Sequence, residues 1–221
     1  MNNQTLFIAF EGLDGSGKDT QLNFVIDMIK SSKNSLFGDK YSNIWVTRQP
    51  TKITPSGIAI SNAIKERDVS KEEATQGFVQ DRIEHSHIIR EQLKHSYVLT
   101  SRCDFSTLVY QYAQGMDLDE LYNMHKYGEN GTQIPNITLV FKISAEEGLK
   151  RIQGGRQEVP KECFEQLEFL EKCEAKENEI IPYLREKDGR TIIEINAEQS
   201  IEDVSKEMLF KLEDWWKNQK A

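Results

Sequence analysis

A surplus of positive charge is missing from this 221-residue sequence: 28 Lys and Arg stand against 36 Asp and Glu, a formal net charge of −8. Binding along a nucleic-acid backbone needs the opposite balance, so no nucleic-acid partner is expected and any phosphate must be gripped locally. Cysteine is scarce. Cys103, Cys163 and Cys173 are an odd number with no CxxC pair, which argues against a disulfide framework and for a reducing compartment. Long apolar runs are missing too: Leu6 to Phe10 is too short for a signal peptide or a membrane span and no basic segment precedes it. No membrane partner and a cytoplasmic location are therefore expected. There is no internal repeat, low-complexity tract or Pro/Gly/Ser-rich linker, so one domain over residues 1–221 is expected. The composition that remains, 38% hydrophobic and 29% charged, is that of a globular chain able to bury one sizeable core.

Five short apolar segments read as strands: Leu6 to Phe10, Ile44 to Thr47, Tyr97 to Ser101, Ile137 to Ile143 and Thr191 to Asn196. Helically spaced segments lie between them, and three open with a serine followed three residues later by an acid: Ser70 with Glu73, Ser144 with Glu147, and Ser200 with Asp203. Alternating strands and helices imply an α/β fold, a mainly parallel sheet with helices on both faces. Ligands of such sheets bind at the carboxyl ends of the strands, so chemistry is sought there.

The first strand runs into Gly12-Leu13-Asp14-Gly15-Ser16-Gly17-Lys18-Asp19-Thr20 and then a helical register from Gln21. Glycines let successive backbone N–H groups turn around phosphate oxygens, a helix N-terminus adds its positive dipole end, and Lys18 supplies a charge for the β- and γ-phosphates of a nucleotide such as ATP. The strand before and the helix after set this apart from a simple glycine-rich turn. One departure stands out. The residue after the lysine is usually a Ser or Thr that ligates Mg²⁺, and here it is Asp19, with Thr20 next; either offers hard oxygen to the ion, and a weakened metal site is the third reading.

Arg48 follows the second strand and Arg102 the third, both on the loop's side of the sheet, where each is a candidate for an acceptor phosphate. Phe78 and Arg82, four apart, share one face of the helix opened by Ser70, offering a flat apolar platform and a planar donor for a base. Taken alone, Phe78 reads as a core residue. Ser106, Thr107, Tyr110 and Gln111 form a polar patch after Arg102, which an amphipathic helix face explains equally well. Lys150 to Gln157, with paired glycines and the cations Arg151 and Arg156, has the composition of a mobile basic lid over about 150–160 or of a plain exposed loop. The histidines His85, His87, His95 and His125 make no metal-ligand pattern with cysteine, and Trp215 and Trp216 read as packing of the last helix.

Taken together these segments resemble the thymidylate kinase family over nearly the whole chain. The resemblance rests on Phe10 through Gln21, on Arg48-Gln49-Pro50, on Asp81-Arg82-Ile83-Glu84-His85 with Phe78 at the stacking position, and on Arg102 through Gln111. It implies a P-loop NTPase fold with five parallel strands, a homodimer, and transfer from Mg-ATP to dTMP giving dTDP and ADP. By position, the loop from Gly12 to Thr20 would hold ATP, and Asp14 would contact the deoxyribose 3′-hydroxyl or magnesium. Arg48 and Arg102 would hold the acceptor phosphate, Phe78 and Arg82 the thymine, and Ser106 and Thr107 the base edge. Tyr110 would lie under the sugar, with Gln111 beside it. Gly15 stands where some relatives place an arginine, so the catalytic arginine is expected from the lid, as Arg151 or Arg156. Three residues depart from the pattern: Ser101 for Asp, Cys103 for an aromatic or His, and Gln49 for Glu. Asp19 is read as compensating for Ser101. A kinase for another deoxynucleotide or a deoxynucleoside stays open as an alternative, as does a nucleotide-binding regulator that has lost catalysis.

Overall fold

The computed structural model describes residues 5–30, 43–66, 69–154 and 167–219. In chain order the elements are β1 (Phe7–Glu11), α1 (Lys18–Lys30), β2 (Asn43–Arg48), α2 (Pro55–Glu66), α3 (Lys71–Gln92), β3 (Ser96–Ser101), α4 (Asp104–Ala113), α5 (Leu118–Met124), β4 (Ile137–Lys142), α6 (Ala145–Gly154), α7 (Leu167–Asp188), β5 (Ile192–Asn196) and α8 (Ile201–Asn218). The five strands form one all-parallel sheet in the order β2-β3-β1-β4-β5, so β1 is central and its neighbours are reached by crossovers. All five expected strands are present, and the α/β P-loop fold expected from the sequence is the fold found.

A sheet buried on both faces needs apolar residues in both alternating sets, and β1 and β3 supply them. Phe7 and Val98 pack against Ile89 of α3, while their neighbours Ile8 and Leu99 belong to the main core with Leu22 and Val25 of α1 and Met208 and Leu212 of α8. Trp215 and Trp216 pack against that core, half-buried, as expected.

The serine signals mark real helix starts, with one difference in how they work. Ser70 and Glu73 form a complete capping box on α3, and the Asp203 amide donates to Ser200 Oγ (3.2 Å) on α8. At α6 the Ser144 hydroxyl instead donates to Glu198 (2.5 Å), leaving the Glu147 amide at 3.5 Å. The α4 N-cap is Cys103, which makes no side-chain cap. Glu11, at the end of β1, performs that service from across the sheet: it accepts from the amides of Cys103 (2.6 Å) and Ser106 (3.2 Å) and from the Ser106 hydroxyl (2.5 Å). A carboxylate there satisfies orphan donors and meets the positive end of the helix dipole.

Candidate active site

The chain leaves β1 at Gly12 and re-enters helix at Lys18, and only glycine fits the turns between. Gly12 has φ 137°, and a Cβ there would meet Phe141 O at 2.6 Å. Gly15 has φ 85°, and a Cβ there would meet the Gly148 carbonyl oxygen of α6 at 2.3 Å. The loop is thus pinned between β4 and α6 with its backbone near the N-terminus of α1, the geometry that receives a phosphate.

Three charges converge beside it. Lys18 is buried, its Nζ donating to Leu13 O (3.2 Å) and lying 3.6 Å from Asp14 Oδ1, and Arg102 Nη2 donates to the same Asp14 oxygen. Burial alone would raise the Asp14 carboxyl, but the charges of Arg102 and Lys18 outweigh it and hold it at about 2. Lys18, desolvated and beside the Arg102 guanidinium, is lowered to about 8. Arg102 stays fully charged despite burial, since Tyr110, Asp14 and Glu11 surround it.

Arg102 holds this place through its backbone. Its φ is 65°, a conformation costly for a residue with a side chain and kept only where neighbours impose it. The Arg102 N–H donates to Phe10 O (3.0 Å) and Thr100 Oγ1 donates to Arg102 O (2.9 Å), tying the residue to β1 and β3. The side chain donates to Ser106 Oγ (2.9 Å) and lies over the Tyr110 ring, 5.1 Å from its centroid. Ser106 therefore accepts from Arg102 and gives its own proton to Glu11.

On the acceptor side Arg48 is exposed at the end of β2 with no ion pair among the described residues. The segment after it is anchored by Asp81, which accepts from Thr51 N (3.0 Å) and Thr54 Oγ1 (2.6 Å). Phe78 is half-buried and stands outside the hydrophobic clusters; its ring meets the Arg82 guanidinium at 5.3 Å. Arg82 is buried and donates to the carbonyls of Phe78 (3.2 Å) and Cys103 (3.3 Å), but its Nε finds no partner among the described residues. Neither does Thr107 Oγ1, also buried. Orphaned buried polar atoms are rare and mark where a ligand or water completes the site. Gln111 accepts from Thr75 Oγ1 (2.8 Å), fixing α4 against α3.

A family model described as Thymidylate kinase matches residues 10–208. The chain belongs to the thymidylate kinase family. A probable thymidylate kinase of Methanococcus aeolicus is 33% identical over 210 residues, covering 94% of this chain and 96% of that one. A thymidylate kinase of Desulfotalea psychrophila is 30% identical over 215 residues, covering 96% of each. One of Bacillus licheniformis is 32% identical over 158 residues, covering 66% of this chain and 68% of its own.

Within this thymidylate kinase scaffold the departures from the family pattern take definite positions. Ser101, at the end of β3, donates its hydroxyl proton to Asp19 Oδ1 on the first turn of α1. Gln49 pairs with His85, Gln49 Nε2 lying 3.0 Å from Nδ1, while Thr47 Oγ1 lies 3.0 Å from Nε2. Burial and the nearby Arg82 charge lower His85 to about 4, so the pair is neutral. Cys103 is buried with its thiol pushed well up, which leaves it unreactive. Of the lid, Lys150 to Gly154 are the end of α6, and 155–160, with Arg156, lie outside the described residues, as does Cys163. Arg151 donates to Glu147 (2.9 Å) and to Ala197 O just after β5 (3.0 Å). A groove of about 670 Å³ between α2 and α3, lined by residues including Ile60, Gly77, Val79 and Ile83, contains none of the site residues.

The sequence reading missed two groups. Glu11 was visible only as a member of the glycine motif, and a single acid after an apolar strand carries no pattern of its own. Gly148, which lets α6 approach the loop, looks like any other helix glycine.

Proposed function

We infer that this chain transfers the γ-phosphoryl group of ATP to dTMP, giving dTDP and ADP. The observation that carries it is the convergence of Lys18 and Arg102 on Asp14 at the glycine loop. Two cations gathered by one carboxylate are what an acceptor and a donor phosphate would share.

The loop from Gly12 to Thr20 receives the ATP phosphates, its amides and Lys18 taking the β and γ oxygens. Arg48 and Arg102 hold the acceptor phosphate. A phosphate monoester is largely dianionic at neutral pH, so its oxygen attacks the γ-phosphorus without a protein base. The new P–O bond forms as the bond to the β-bridging oxygen breaks, and ADP leaves with the negative charge. Lys18, Arg102 and a lid arginine, Arg151 or Arg156, offset the charge spread over the moving group. Phe78 offers a stacking face to thymine, and Arg82 Nε and the Thr107 hydroxyl, without partners among the described residues, are polar atoms for the base. Tyr110, with Gln111 behind it, underlies the sugar, and Ser106 fixes Arg102.

Mg²⁺ belongs to this reading as the companion of ATP, lowering the charge on the phosphate oxygens. The described residues hold no cluster of three acidic, His or Cys side chains that would bind a metal unaided. Magnesium takes most of its ligands from phosphate and water, so exposed Asp19 and Thr20 at the start of α1 suit it. A homodimer and a cytoplasmic location complete the proposal. Ile58, 46% exposed on α2, supports the first, and the free buried thiols of Cys103 and Cys173 the second. Sedimentation of Ile58→Asp as a monomer, beside a dimeric parent, is the expected outcome; a parent that sediments as a monomer contradicts the dimer.

With ATP labelled at the γ-phosphate, the label should appear in dTDP. Lys18→Met or Arg102→Ala should lower kcat by about 10³-fold, the scale of a lost phosphoryl-binding cation. Label released only as inorganic phosphate would contradict the transfer.

A further inference from the structure

In a glycine loop of this type, a hydroxyl residue follows the lysine and ligates magnesium, and a strand-end aspartate completes the metal site. Here the two side-chain types have changed places. The acid, Asp19, follows Lys18 on the first turn of α1, and the hydroxyl, Ser101, ends β3. The fold brings them together, with the Ser101 hydroxyl donating to Asp19 Oδ1. Ser101 is buried, so its proton has few other destinations, whereas Asp19 is exposed. An ionised carboxylate has about four acceptor positions. Ser101 occupies one, and Asp19 Oδ2 has neither hydrogen bond nor ion pair among the described residues.

We propose that Asp19, oriented by Ser101, is the protein's own magnesium ligand, and that exchanging the pair makes ATP binding depend on the divalent cation. The pair carries the same charge either way round, one carboxylate and one hydroxyl, so the charge total at the site is unchanged. Its location is not. A neutral hydroxyl after the lysine tolerates metal-free ATP, whereas a carboxylate there faces the anionic phosphates directly and repels them. With Mg²⁺ between them the same carboxylate attracts. Each ligand therefore strengthens the other, and by linkage equally in both directions. The first turn of α1 accommodates the acid while no cation is bound, since its amide dipoles favour negative charge.

The inference rests on ATP occupying the glycine loop. The test is calorimetric titration of the whole protein with ATP, once with Mg²⁺ and once with EDTA, taking the ratio of the two dissociation constants. Asp19→Asn keeps an acceptor for Ser101 and removes the charge. It should tighten metal-free ATP binding and lower the ratio by at least about tenfold, the scale of a lost partner around a bound metal. The exchange Asp19→Thr with Ser101→Asp, which returns the hydroxyl to the position after Lys18, should keep binding of Mg-ATP while the ratio stays as low as in Asp19→Asn; a ratio as high as the parent's in this exchange would overturn the proposal. An unchanged ratio in Asp19→Asn, or a ratio lost only in Thr20→Val, would overturn the proposal in favour of another ligand. ATP that binds in neither buffer would overturn the ATP-site reading itself, and this inference with it.

Discussion

Lys18 in the free protein is balanced between two influences, burial that strips its charge and Asp14 that keeps it. With its ammonium lowered to about 8, much of it is neutral in mildly alkaline solution, and an arriving phosphate reverses that balance. ATP binding at pH 8.5 should then draw in about half a proton or more, and close to none at pH 7. Calorimetry in two buffers of different ionisation enthalpy measures this directly, and Lys18→Arg should abolish the uptake. ATP affinity should weaken as pH rises through 8. Arg102 has no such pH dependence; its contribution is positional, set by a left-handed backbone that β1 and β3 hold in place. At this scale the sequence was informative where chemistry and position coincide, as with Lys18, Arg102 and the paired departures Asp19 and Ser101. It was uninformative about which polar atoms are already used. Nothing in the spacing of Ser106 and Thr107 says that one hydroxyl is taken by Glu11 and Arg102 while the other has no partner among the described residues.

Among the elements, α4 carries the most of the site, and polar contacts along its length hold it. Glu11 caps its start, Gln111 joins it to α3, and Asp104 forms a buried pair with Arg190, which also contacts Asp188 (2.8 Å) ahead of β5. Both Asp104 and Arg190 side chains are fully inaccessible. Tyr127 donates to the same Asp104 oxygen (2.7 Å). Removing one partner leaves the other charge buried, so Arg190→Ala should cost about 3–5 kcal/mol in urea denaturation. The variant should lose stability while the chemistry, in whatever fraction stays folded, is kept; a loss under 1 kcal/mol would contradict the pairing. Strands and helix starts were legible because each has a local cause, an apolar run or a serine before an acid. The Asp104–Arg190 pair was not, because 86 residues separate the partners. Phe78 illustrates the opposite case. An aromatic on a helix reads as core, yet its neighbour at the fourth position is an arginine that lies against its ring, leaving it half-buried.

The whole molecule has an acid-sensitive side. His85 and His125 are buried and lowered to about 4 and about 3, burial being the largest cause for each. An unfolded chain takes up protons on these rings near pH 6.5, the folded chain only well below. Stability is therefore fully present above about pH 6.5 and lost as pH falls toward 4, at roughly 1–2 kcal/mol per histidine by pH 5. Tm measured from pH 7 to 5 should fall, and the fall should shrink in His85→Gln. A flat Tm profile would place these rings in water. The same two residues show what a composition reading leaves out: the burial of His85 and His125 comes from the tertiary packing of Thr47, Gln49 and Thr132 around them, partners that no sequence spacing announces.

Phosphorylation of dTMP by ATP needs one site that joins ATP to a thymine nucleotide. The most direct measurement is steady-state ADP release with Mg-ATP and equal concentrations of dTMP, dUMP, dCMP, dGMP and thymidine. The site predicts higher kcat/KM with dTMP, and with dUMP, which carries the same carbonyls, than with the other three, since Arg82 Nε, without a partner among the described residues, is a donor suited to a base carbonyl and an amino group there would leave it unpaired. Highest turnover with dCMP, dGMP or thymidine would contradict the assignment of the base and acceptor sites, and no ADP release with any acceptor would contradict the transfer itself.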